Sequence, residues 1–336
     1  MITPSTEPRV HAVAPVTVAW QALVDGCWDD FVASLPEAVR DDARRLPLTL
    51  RLTPKPLPWS RIFHQEVTLA LPFTLAEALP SASPAAVRTA VTAHMLGIVA
   101  AFGADRIDDG QVKATPRLVR TLDAVRAARD AAVASFGVQA SGPLYDHRAS
   151  DLATVEGNRA EQRFLAEHES ADVATYERLS RAKQFLVFPA AMTFARAAGL
   201  DAEGLALLED MCLSMAMGLQ FRDDATDWED DHAEDRSWAV RLLRHAERGD
   251  AGACDVASLR GRMAEAGIIV ALLDGAARHF ETARDAARRL SAECIVAWSD
   301  KQARLTHTLS AGEREAPGHI VRWEIARKQA RSGVAA

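Results

Sequence analysis

Two groups of carboxylates are spaced as if to hold a cation. The stretch 220-QFRDDATDWEDDHAEDR-236 carries eight acidic side chains in the thirteen positions from Asp223 to Asp235. On a helix, Asp223, Asp227, Asp230, Asp231 and Glu234 fall within about a third of the circumference, with Asp224 on the adjoining edge. Upstream, 102-FGADRIDDGQ-111 sets Asp105, Asp108 and Asp109 at offsets of three and four, again on one face. Two unit charges about 5.5 Å apart repel by roughly 3 kcal/mol at an effective dielectric of 20, and by under about 1 kcal/mol in water. Such faces are cheap when solvated and costly in a cleft. Each follows an apolar run, 94-HMLGIVAAFGA-104 and 211-MCLSMAMGLQF-221, and a helix C-terminus adds its own negative partial charge. Magnesium offsets that cost: it takes hard oxygen ligands, usually one or two carboxylates completed by water and phosphate oxygens. The alternative is a pair of solvated acidic faces. An EF-hand is excluded, because the glycine required at position six is absent.

An anion bound through such a metal calls for a basic complement. Lys183, with Arg178 and Arg181 close by, lies in 176-YERLSRAKQFLVFPAAMTFARAAG-199, and a surface lysine is the alternative reading. Asn158, Arg159 and Arg163 form a weaker set, and Gln220 and Arg236 flank the second cluster. His94 is either a core histidine or a ligand. Phe102, Phe185, Phe188, Met192, Met215 and Phe221 are candidates for an apolar cavity wall, with ordinary core packing as the alternative.

These residues need long helices to carry them. Alanine, leucine and arginine dominate and apolar residues recur at three and four, which predicts helices over 16–35, 84–110, 115–136, 150–169, 171–198, 201–231, 237–248, 255–287 and 290–310. Ser83-Pro84 and Thr115-Pro116 read as helix starts; Gly137, Gly199 and Gly312 read as helix ends. The proline-rich stretch 46–74 reads as an ordered loop or arm with one hairpin. No repeat or linker divides the 336 residues, so a single domain over 1–336 is expected: an all-α bundle, able to hold a cavity between its inner helices. A net charge of −7 argues against a nucleic-acid partner. The N-terminus lacks a basic segment followed by an apolar one, and apolar runs fall short of about 18 residues, so no membrane insertion is expected. The scattered Cys27, Cys212, Cys254 and Cys294 suit a reducing, cytoplasmic compartment.

The segment 176–231 resembles the class I isoprenoid synthase superfamily, which includes trans-polyprenyl synthases, terpene cyclases and squalene/phytoene synthases. Gln220-Phe-Arg-Asp223-Asp224-Ala-Thr-Asp227 is similar to the QxxDDxxD motif of polyprenyl synthases, and Lys183 to the lysine that binds diphosphate there. Asp223, Asp227 and Asp231 match the i, i+4, i+8 spacing of the cyclase metal triad. Asp105/Asp109 and Asp223/Asp227 fit the DxxxD pairs of squalene/phytoene synthases. The chain departs from the elongases: its paired aspartates come last in the first motif, and the basic pair and the GKR-type signature for a second diphosphate are missing.

The resemblance implies a large bundle of the isoprenoid-synthase (terpene synthase) type with a central apolar cavity. Three Mg²⁺ ions would be held by Asp105, Asp108 and Asp109 on one side and by Asp223, Asp224, Asp227 and Asp231 on the other. Asp105, Asp109, Asp223 and Asp227 would be the catalytic set. Lys183, Arg178, Arg181, Gln220 and Arg236 would hold the diphosphate of a linear prenyl substrate of fifteen carbons or more. The expected activity is a terpene synthase; the alternative is a prenyltransferase coupling two prenyl units, by elongation or head-to-head. A non-catalytic helical relative is the reading from a different class. Such bundles are often homodimers.

Overall fold

The computed structural model describes residues 15–63, 65–79, 81–108, 110–248 and 255–323. Among them there is no strand, and the order is α1 (Pro15–Ser34), α2 (Glu37–Arg44), α3 (Leu46–Thr49), α4 (Trp59–Ile62), α5 (Glu66–Leu75), α6 (Pro84–Asp108), α7 (Pro116–Ala134), α8 (His147–Glu167), α9 (Val173–Ala182), α10 (Phe188–Ala197), α11 (Ala202–Thr226), α12 (Trp228–Ala233), α13 (Trp238–Ala246), α14 (Val256–Glu265), α15 (Ile268–Arg289) and α16 (Glu293–Glu315). The all-α class is as expected. Within 46–74 the described residues form no hairpin: α3, α4 and most of α5 are short helices, and the turns and bends of 50–58 keep the irregular loop that was expected.

Side-chain caps set six of the helix starts. The side chains of Thr115, Asp146, Asp172, Asp201, Ser237 and Asp255 accept from backbone N–H groups three residues on, satisfying donors that a helix start leaves open. Three expected long helices are broken instead. Lys183 ends α9, and a 3-10 turn, Gln184–Val187, precedes α10. Asp227 (φ −104°, ψ 11°) separates α11 from α12, so the acidic segment is not one continuous face. Gly267, at φ 65°, separates α14 from α15. Gly312 lies inside α16 rather than at its end, where the His319 ring packs over its bare Cα.

The helices bury two apolar clusters. One gathers α11, α15 and α16, which run along one another, with α9, α10, α13 and part of α5. The other gathers α1, α7 and most of the buried face of α6, with Trp20, Trp28 and Trp59 among its members. By length and composition α6 could cross a bilayer; here it packs against α1, α5, α7 and α10, and residues such as Ala93, Leu96 and Val99 are fully enclosed. Cys27 and Cys212 are buried, whereas Cys254 lies outside the described residues.

Candidate functional site

A cavity of about 730 Å³ opens between α5, α6, the 3-10 turn and α11. Its α6 wall is the stripe His94, Ile98, Phe102 and Arg106, each one turn beyond the last. Its α11 wall carries Met215 and Leu219, then Gln220, Asp223 and Thr226. Apolar side chains line its middle, with Gln65, Thr68 and His94 toward one end and Arg106, Gln220, Asp223 and Thr226 toward the other, here called the mouth. His94 is 3% exposed and sits within 3.1 Å of the Thr68 carbonyl oxygen through Nε2. That carbonyl is free because Pro72, four residues on within α5, has no N–H to give it. Burial holds the imidazole neutral, its pKa lowered to about 4.

The register of α6 turns the first acidic cluster elsewhere. Asp105 and Asp108 line a second pocket of about 450 Å³, mixed in polarity, with Ala101 and Ala104 on α6, Arg126 on α7, and Thr154, Asn158 and Arg159 on α8. Leu186 of the 3-10 turn borders this pocket and Gln184 of the same turn borders the first, so the turn stands between them. The two clusters therefore line different cavities instead of sharing one mouth. Asp109 lies outside the described residues.

At the second cluster, Asp223 lines the larger cavity and Asp227 and Asp231 follow at the α11–α12 break. Burial raises the Asp231 pKa to about 6; Arg236 opposes the rise, and the charges of Asp223, Asp227 and Glu234 add to it. Arg236 pairs with Glu234 at 2.6 Å and stands 3.9 Å from Asp231, so it offsets part of the cluster's charge. Among the described residues no three His, Cys, Asp or Glu side chains converge as a ligand group. The donors nevertheless suit magnesium, which needs only one or two carboxylates, and the mutual repulsion at Asp231 is what a hard cation would relieve.

Asp224 and Lys183 have other duties than the motif implies. Asp224 is 7% exposed and accepts from the Tyr176 hydroxyl and from Gln220 Nε2 at 3.0 Å. Burial raises its pKa to about 6, against the pull of Lys183, Tyr176 and Gln220; the Tyr176 phenol is pushed up by burial and by that carboxylate. It is a buried tie between α9 and α11, turned away from the Asp223 side. Lys183 Nζ lies 2.8 Å from both carboxylate oxygens of Glu161, which also accepts from Trp238 Nε1 at 2.8 Å. It is half of a largely enclosed ion pair, so an anion would have to compete with Glu161 for it. The neighbouring α8 residue is Gly157, whose missing Cβ lets the Ala182 carbonyl close in and seats α8 on the end of α9.

Arg178 and Arg181 are exposed on α9 and line neither cavity. Of the wall candidates, Phe102 and Met215 line the larger cavity. Phe185 packs beside Phe188, their ring centroids 6.3 Å apart, and Phe188 and Met192 are core. Phe221 packs at steep ring angles, 59° and 62°, against Tyr176 and His279 and borders a separate cavity of about 200 Å³. Sequence reasoning missed Arg106, Glu161, Tyr176 and Trp238. The period-four run His94-Ile98-Phe102-Arg106 was a readable signal for the first; the other three meet only through tertiary packing. The chain matches no family model, no curated protein and no solved structure.

Proposed function

We propose that this protein is a magnesium-dependent class I terpene synthase acting on a linear prenyl diphosphate. The carrying observation is the 730 Å³ cavity, whose apolar middle of Ile98, Phe102, Met215 and Leu219 leads to a mouth bearing Asp223 beside Asp227 and Asp231. The volume falls within the range of ligand pockets. The apolar middle suits a hydrocarbon tail, and the mouth suits its charged head.

In this reading the tail lies against Phe102 and Met215, which exclude water, and the head is held at the mouth by Gln220 and the Asp223 segment. Magnesium supplies Lewis-acid stabilisation of the leaving diphosphate when bound. The allylic C–O bond breaks with its electron pair going to the diphosphate oxygen. The cation left behind needs a dry, polarisable wall, which the Phe102 ring provides. Loss of a proton from the adjacent carbon, or capture of water, gives the hydrocarbon or alcohol.

The second pocket supports the runner-up. A prenyltransferase coupling two prenyl units needs a second diphosphate site, and the pocket on the other side of the 3-10 turn offers Asp105, Asp108 and Asp151 for a metal with Arg126 and Arg159 beside them. Incubation with farnesyl or geranylgeranyl diphosphate, with and without isopentenyl diphosphate, separates the two. A terpene formed from the single substrate supports the synthase; product only in the presence of isopentenyl diphosphate refutes it. Release of no diphosphate from any of these substrates refutes both.

A further inference from the structure

Arg106 interrupts the first acidic cluster in sequence and stands apart from it in space. It is the fourth member of the stripe that begins at His94, so it lies one turn above Phe102 at the mouth of the larger cavity, where Asp223 lies on the facing helix. Asp105 and Asp108, its neighbours in sequence, line the other pocket. Arg106 is partly buried, and its guanidinium has no side-chain partner among the described residues. The chain elsewhere pairs its enclosed arginines: Arg129 with Asp130 and Asp151, Arg241 with Asp235. Asp223 across the cavity supplies a carboxylate in the same space but no direct contact, so the Arg106 guanidinium keeps its donors for a ligand.

The second arginine of this cavity is committed. Arg222 is 9% exposed, donates to Gln302 at 2.7 Å and lies over the Phe280 ring. It is fixed in place, so its charge adds to the local field while Arg106 is left to make direct contacts. The amides of Gln184 and Gln220 border the same space and offer further donors. One guanidinium, two amides and a fixed positive charge around a mouth next to an apolar stretch fit an amphiphile with an oxyanion head. The planar fork of arginine matches two oxygens of a phosphate.

We propose that Arg106 binds the anionic head of the cavity's ligand directly, serving on the α6 wall in the place that Asp105 and Asp108 do not reach. The identification of that head as a diphosphate rests on the synthase reading above. The contact itself needs no metal, so the α6 side of the mouth works by charge-assisted hydrogen bonds and the α11 side by carboxylates.

Titration calorimetry of the full-length protein with inorganic pyrophosphate, in magnesium and again in EDTA, tests this. The wild type should bind in both conditions, more tightly with magnesium. Arg106→Gln should weaken binding about tenfold or more in both, as expected for a lost charge-assisted contact. Arg106→Lys should recover part of it, and Arg120→Gln, on the exposed surface of α7, none of the loss should appear. Circular dichroism melting confirms that each variant is folded, and Arg106→Lys carries the test if the glutamine variant is not. Equal binding by wild type and both Arg106 variants overturns the proposal and leaves the synthase reading standing. A wild type that binds no pyrophosphate in either condition overturns both.

Discussion

Replacing Lys183 by methionine keeps most of the side-chain volume and removes the charge that faces Glu161. Both side chains are largely enclosed, with 17% and 12% of their surface exposed, so Glu161 would be left as an unpaired anion near the buried Asp224. Breaking a buried pair from one side costs about 3–5 kcal/mol. Glu161 keeps the Trp238 indole N–H as a donor, which points to the lower end, about 3 kcal/mol. Neutralising the partner as well, in Glu161→Gln/Lys183→Met, removes the uncompensated charge and should restore most of that loss. Urea unfolding followed by circular dichroism measures the effect, as a lower midpoint at unchanged slope for the single variant and a recovered one for the pair. A single variant as stable as the wild type would mean that Lys183 is available to an anion, as the family motif implies. A double variant no more stable than the single one would refute the ion-pair argument.

Two further outcomes follow from the same part of the fold. His147 is 4% exposed, packs on Gly97, has neither ring nitrogen hydrogen-bonded, and burial lowers its pKa to about 2. A histidine with a depressed folded pKa gives stability that is present above about pH 6.5 and lost as the pH falls; between pH 7 and pH 5 the loss is about 2 kcal/mol. Asp224 and Asp231 act oppositely, since a carboxyl raised to about 6 gains stability as the pH falls through that value. The contributions oppose one another, His94 adding to the histidine side, so His147→Asn should raise the stability at pH 5 relative to that at pH 7 by about 2 kcal/mol over the wild type; an unchanged pH dependence would contradict the buried neutral imidazole. Gly157→Ala should force α8 off the end of α9, since the new methyl would overlap the Ala182 carbonyl. A cost of about 1–3 kcal/mol in the same unfolding assay is expected, and a neutral outcome would show that α8 can shift freely.

Much of the helical frame was legible because capping is local. Thr115 before Pro116, and Gly137 and Gly199 at positive φ, act within a few residues of the ends they set. The breaks at Lys183 and Asp227 were not legible, since helical periodicity runs across both; at the first, α8 is seated on the Ala182 carbonyl through Gly157. The acidic residues were found, but not their directions. Spacing places Asp105 and Asp108 on a common face; only the neighbours of α6 decide which cavity that face meets. Asp224 belongs to the motif by sequence and to the core by contact, because a hydroxyl 48 positions earlier reaches it.

The cavity lies where the two apolar clusters meet. Ile98 packs with the cluster of α1 and α7, whereas Leu71, Met215 and Leu219 pack with that of α11 and α15. A ligand touching Arg106 on one wall and Asp223 on the other would therefore act as a cross-brace between two cores that could otherwise lose structure in separate steps. Occupancy would then sharpen the unfolding transition as well as raise its midpoint, because neither core could melt without releasing what joins it to the other.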